Sequence, residues 1–208
     1  MANISKNPTL ILTPHADDEV LGSYAFLNDY ATVIYFGIED RETISRDTRL
    51  REVEAVSKFC RFSYQILDNP VNGYESSKLI SVIENLINTI EPKRILIPEK
   101  SYNQDHRAVH DAAITALRPH DINHFVPEVL LYEQIHSFIW PEVGKFVPNY
   151  FKSINIDDKI KAYQLHASQV REHRSIEKIK NMAAIRGAMC NAKYAEGFLI
   201  KRLVEEIK

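Results

Sequence analysis

Five short apolar runs punctuate the chain: Leu10-Ile11-Leu12-Thr13, Thr32-Val33-Ile34-Tyr35-Phe36, Ser63-Tyr64-Gln65-Ile66-Leu67, Arg94-Ile95-Leu96-Ile97 and Val129-Leu130-Leu131-Tyr132. In all but the weaker third run, apolar side chains fall on consecutive positions instead of alternating ones, the pattern of strands covered on both faces. Helical periods fill the gaps. Leu79, Ile83, Leu86 and Ile90 recur at three- and four-residue spacing, and so do Val109, Ala113, Ala116 and Leu117. Asp157-Asp158 marks the start of a helix expected to run to about Val170, and Arg174–Leu203 reads as a long helical stretch broken near Gly187. Alternating strand and helix predicts an α/β chain, a three-layer Rossmann-like fold with a mainly parallel sheet and right-handed crossovers. No repeat, low-complexity tract or long linker interrupts it, so residues 1–208 read as one domain.

Composition narrows the functional classes. The 26 basic and 28 acidic residues leave a net charge of -2, which provides no field for gripping a phosphate backbone or an anionic membrane surface. No nucleic-acid partner is expected. Residues 1–14 contain no apolar core of signal-peptide length, and no stretch approaches the roughly 18 apolar residues of a membrane span. Cys60 and Cys190 form no CxxC pair and read as thiols in a reducing compartment. The expectation is a soluble, cytoplasmic protein. Its six glycines form neither GxGxxG nor GxxxxGK[ST], which argues against a nucleotide-binding module.

In open α/β sheets, ligands bind beyond the carboxyl ends of the strands. After the first run comes Pro14-His15-Ala16-Asp17-Asp18-Glu19. Three adjacent carboxylates raise the cost of keeping all of them ionised, and a bound cation removes it. Imidazole with carboxylate suits zinc. First-turn carboxylates stabilising a helix N-terminus are the plainer alternative, but they leave the histidine without a part. An aspartyl-nucleophile phosphatase also begins with an aspartate after its first strand, yet nothing else in the chain resembles that class. After the fourth run, Asn103-Gln104-Asp105-His106-Arg107 opens another helix on the same edge. His106 is placed to complete a metal site, with Asp105 orienting an imidazole. His110, one turn on, competes with it as third ligand, although His106 lies closer to the strand edge.

These two motifs resemble those of the LmbE-like, or PIG-L, zinc-dependent de-N-acetylases. Pro14-His15-Ala16-Asp17-Asp18-Glu19-Val20-Leu21-Gly22 is similar to the family's His-Pro-Asp-Asp-Glu signature, and Asn103–Arg107 to its His-Pro-Asp-His motif. Later stretches, among them Tyr132-Glu133, Ser168-Gln169, Arg174-Ser175, Arg186-Gly187 and Tyr194–Phe198, are compatible with members that act on sugars. The resemblance implies that His15, Asp18 and His106 bind Zn2+ and that Asp17 is the general base. Its implied substrate is an acetylated amino sugar or glycoconjugate of the N-acetylglucosamine type, and the products are acetate and a free amine. Other divalent metals suit the same donors.

Two positions depart from the family pattern. Ala16 stands where proline is usual. Asn103 stands where several members carry a histidine that stabilises the oxyanion, and asparagine can donate a hydrogen bond without carrying charge. His136, just past the fifth run, is the other candidate for that part. Arg51-Glu52-Val53-Glu54-Ala55 resembles an Arg-x-x-Glu-Ala stretch near the sugar pocket, which would make Arg51 substrate-binding, though ion pairing along a helix explains it equally well. Tyr102, Tyr132 and Trp140 are candidates for stacking on a sugar ring, against ordinary packing. Tyr194 and Phe198 read as core cover on C-terminal helices. Two rivals remain at this level: a zinc amidohydrolase acting on a non-sugar amide, and an inactive Rossmann-like ligand-binding relative. Self-association is left open by the sequence.

Overall fold

The computed structural model describes residues 8–134 and 146–205. Seven strands form one sheet in the order β3-β2-β1-β4-β5-β7-β6. The first five are β1 (Thr9–Thr13), β2 (Ala31–Tyr35), β3 (Ser63–Ile66), β4 (Arg94–Pro98) and β5 (Glu128–Tyr132), all parallel to their neighbours among themselves. β6 (Tyr150–Ser153) and β7 (Ala195–Leu203) close one edge as antiparallel strands. The helices are α1 (Asp18–Ser23), α2 (Arg46–Cys60), α3 (Ser76–Ile90), α4 (Gln104–Ala116), α5 (Ile156–Leu165) and α6 (Ile176–Ala188). The α/β class and the mainly parallel sheet expected from the apolar runs are what the chain adopts.

The two-sided runs have a direct structural meaning. Ile11, Val33, Leu96 and Leu130 face one layer, built from Val20 of α1, Val53 and Val56 of α2, Ile160 and Tyr163 of α5 and Ile179 of α6. Their chain neighbours Leu10, Leu12, Ile34, Ile95, Ile97, Val129 and Leu131 face the other, packed on Leu79, Ile83, Leu86 and Ile87 of α3 and Val109, Ala112 and Ala113 of α4. Successive residues of a strand point to opposite faces, so covering both faces demands apolar residues at every position.

Two expectations are corrected. The long helix over Arg174–Leu203 is instead α6 followed by a turn through Asn191, at φ 56, and then β7. The stretch AEGFLIKRL lies between β5 and β6, where Phe198 pairs with both Tyr132 and Tyr150. Gly197 has no room for a side chain, because a Cβ there would lie 2.9 Å from Pro148 Cβ. Local helical spacing lost to an open sheet edge that needed a partner. Phe198 is buried core, as expected, but on a strand. The other correction is the end of α5. It begins after the Asn155 cap, whose side chain accepts from the Asp157 and Asp158 N–H groups, but stops at Leu165 and gives way to a short 3-10 turn, Ala167–Gln169. No helix among the described residues is long and apolar enough to cross a membrane.

Candidate active site

β1 lies between β2 and β4, and the chain leaves β1 and β4 toward opposite sides of the sheet. Such a switch point opens a crevice at the carboxyl ends of the two strands. The turn after β1 enters that crevice with His15, Asp17 and Asp18, and the loop after β4 enters it with Asn103, Asp105 and His106. The β1 turn is held from both sides. Tyr74 Oη donates to the Pro14 carbonyl at 2.8 Å, and Arg49 Nη2 donates to the Ala16 carbonyl.

His15, Asp18 and His106 converge, each offering one ligand atom, with all three atoms within 4.8 Å of one another. His15 Nε2 meets Asp105 Oδ2 at 2.9 Å, which directs Nδ1 to Asp18 Oδ2 at 3.8 Å; His106 Nε2 approaches the same oxygen at 3.3 Å. Asp105 is fully buried and also accepts from the N–H groups of Asn72 (2.6 Å) and Tyr74 (3.3 Å). Burial alone would raise its pKa, but these hydrogen bonds outweigh burial and hold it below the usual value. As a fixed acceptor, Asp105 keeps the His15 proton on Nε2 and leaves Nδ1 as the electron-pair donor.

The electrostatics point the same way. Burial pushes Asp18 up to about 7, the Asp17 and Glu19 charges add to that rise, and His15 opposes it. Burial works against a charged His15, yet the Asp105 hydrogen bond and the surrounding carboxylates raise its pKa overall. A carboxylate this reluctant to ionise among other acids gains from a cation beside it. Two imidazoles and one carboxylate, with one imidazole held by a buried acid, form a donor set that fits a divalent metal such as zinc.

Asp17 stands at the N-terminus of α1 but caps nothing with its side chain. It sits at φ 125, backbone that side-chain-bearing residues rarely adopt, and its Oδ2 accepts from Arg174 Nη1 at 2.6 Å. Arg174 also donates to Gln169 Oε1 at 3.2 Å. Asn103 is the N-cap of α4: its Oδ1 accepts from the N–H groups of Asp105 (2.8 Å) and His106 (3.3 Å), fixing the turn that carries both. Together these residues line an open cleft of about 650 Å³, with exposed Tyr102 at its rim and Glu39, Arg41, Arg171 and His173 around its mouth.

Other candidates fall elsewhere. His110 turns its Nδ1 to the Pro98 carbonyl at 2.8 Å and stays out of the three-residue cluster. Tyr132 is buried with its hydroxyl on the Leu12 carbonyl, a packing role and not a sugar platform. Arg51 lies on the exposed face of α2, its guanidinium 3.3 Å from Thr48 Oγ1, and is not among the residues that line the cleft. The residue of that helix that reaches the site is Arg49, buried and paired with Glu52, whose carboxylate in turn accepts from Ser168 N (2.7 Å) and Oγ (2.8 Å). The signal was present, since residues 49, 53 and 56 share the inward face of α2. His136 and Trp140 lie outside the described residues.

A family model described as GlcNAc-PI de-N-acetylase, PIG-L, matches residues 10–117, more than half of the 208 residues. The chain belongs to the PIG-L family. Both site loops fall inside the matched segment. Among solved structures, the conserved protein TT1542 from Thermus thermophilus is similar over 96% of this chain and 97% of its own, at TM-score 0.76 and 19% identity. The 4-carboxy-2-hydroxymuconate hydratase GalB from Pseudomonas putida is similar over 96% and 99%, at TM-score 0.74 and 19% identity. The N,N'-diacetylchitobiose deacetylase from Pyrococcus horikoshii is similar over 94% and 84%, at TM-score 0.76 and 18% identity. One PIG-L-type fold thus accommodates a hydratase as well as a deacetylase, so fold alone does not assign the reaction. No curated protein sequence matches the chain.

Proposed function

We propose that the protein is a hydrolytic, metal-dependent de-N-acetylase, with Zn2+ as its metal and an N-acetylglucosamine-type sugar or glycoconjugate as its substrate. The observation that carries this reading is the convergence of His15, Asp18 and His106 beside Asp17 in one open cleft. Membership of a family described by de-N-acetylation supplies the reaction class.

His15, Asp18 and His106 would hold the metal, which when bound supplies a Lewis acid and makes a water easier to deprotonate. Asp17 takes a proton from the attacking water. Arg174 occupies Oδ2 of that carboxylate and leaves Oδ1 for the proton. The water oxygen bonds to the acetamide carbon, the carbon–nitrogen bond breaks, and Asp17 returns its proton to the departing nitrogen, giving acetate and an amine. The Asn103 amide nitrogen is one donor available to the developing oxyanion, since its oxygen is committed to the α4 cap. His136, outside the described residues, is the other candidate on the strength of the sequence. Tyr102, exposed and lining the cleft, is our candidate for stacking on a sugar ring.

The test is elemental analysis of the purified protein together with acetate release from N-acetylglucosamine compounds, with and without chelator. About one zinc per chain with chelator-sensitive release is expected. Release unaffected by stripping the metal would overturn the mechanism. Acetate from simple acylated amines but from no sugar would replace the substrate class.

A further inference from the structure

We propose that Glu19 and His166 form a buried positioning pair that fixes the backbone of Asp17 and thereby aims its carboxylate into the cleft. This rests on the reading of Asp17 as the proton-transfer group. The observation that prompts it is the φ of 125 at Asp17, a conformation that persists only where the surroundings over-determine it. Glu19 supplies the restraint. Its Oε2 accepts the Asp17 N–H at 3.0 Å, and its Oε1 meets His166 Nε2 at 2.6 Å.

Both residues have no solvent exposure at all. A carboxylate and an imidazole completely removed from water need each other, which fixes the rotamer of Glu19 and keeps its second oxygen under the Asp17 N–H. The partner comes from far along the chain. His166 follows α5 and begins the segment that ends at Arg174, so one stretch grips Asp17 twice. Its first residue holds the main chain through Glu19, and its last holds Oδ2 of the side chain directly. The buried Tyr35 hydroxyl also faces the Glu19 carboxylate. Without His166, Glu19 is free to turn toward that hydroxyl, the Asp17 N–H loses its acceptor, and the backbone relaxes to negative φ, which swings the carboxylate off its line into the cleft.

The experiment uses the zinc-loaded protein and three variants. His166→Phe removes the grip on Glu19. Glu19→Gln keeps the shape, but its amide can satisfy Asp17 and His166 together only by placing a proton on His166 Nδ1, a buried atom with no hydrogen-bond partner. His166→Gln restores a donor to Glu19. Zinc content, kcat and KM for N,N'-diacetylchitobiose, and solvent exchange of the Asp17 amide proton are measured. His166→Phe and Glu19→Gln should retain zinc and KM, lose about 100-fold in kcat, and exchange the Asp17 amide faster; His166→Gln should recover most of both. A folded, zinc-bound His166→Phe or Glu19→Gln that keeps wild-type kcat and Asp17 exchange overturns the proposal. Should His166→Phe fail to fold, the isosteric Glu19→Gln decides. If the wild-type protein releases no acetate from any acetylated sugar, the deacetylase reading falls, and the Asp17 exchange rates still decide whether the pair positions that residue.

Discussion

Arg174 donates to Asp17 across 157 positions of sequence, at 2.6 Å, and binds only one of the two carboxylate oxygens. That division defines the chemistry proposed for Asp17: an anchored oxygen and a working one. Replacing the working oxygen is the sharpest probe. Asp17→Asn should keep its metal, because none of the three proposed ligands changes, and should lose turnover by about 100- to 10,000-fold. Metal content measured beside kcat checks this, and wild-type turnover would refute the assignment of the base.

Asp105 touches no substrate in this reading, yet it fixes which nitrogen of His15 carries the proton. Asp105→Asn is expected to weaken metal binding by about 10- to 100-fold, while His15→Ala or His106→Ala abolishes it. Competition with a chelator of known affinity ranks the variants. Equal affinity for Asp105→Asn and wild type would remove Asp105 from the site.

Two arginines of α2 should behave in opposite ways. Arg49→Ala strands a buried Glu52 and frees the Ala16 carbonyl, at a cost of about 3–5 kcal/mol in folding stability. Arg51→Ala should leave stability within about 0.5 kcal/mol of wild type and, since the residue lies outside the cleft, leave KM unchanged. Urea denaturation and steady-state kinetics on the pair distinguish the brace from the exposed side chain.

Burial lowers the pKa of His110, and the Pro98 carbonyl only partly restores it. The unfolded chain, whose histidine titrates near 6.5, therefore takes up this proton before the folded protein does as pH falls. The contribution of neutral His110 is complete above 6.5 and drains away as the pH drops through that value toward the folded pKa. Melting temperatures measured from about pH 8 to 5 should fall more steeply for wild type than for His110→Gln. Parallel curves would refute this.

How far the sequence reached depended on whether a signal was local. The central strands were legible because two covered faces force consecutive apolar residues, as at Leu10, Ile11 and Leu12. β7 was not, because Phe198 and its neighbours are held by sheet partners that no local spacing announces. In the site, His15 with Asp18 and Asp105 with His106 sit in two compact motifs at strand ends, and the structure brings them together. Arg174 and His166 approach residues 17 and 19 only through tertiary folding, so no local pattern assigned them a part there. Arg49 and Arg51 differ by two positions on one helix, enough to turn one guanidinium into the core and the other into water.

The α4 cap constrains how this site can change. One amide oxygen at position 103 serves two N–H groups, those of Asp105 and of His106, a proposed metal ligand. A histidine introduced there to add a positive charge would give up those bonds, a loss of about 1 kcal/mol for a helix cap, just where the second loop must be rigid. Gain at the oxyanion and loss at the helix would come from the same substitution.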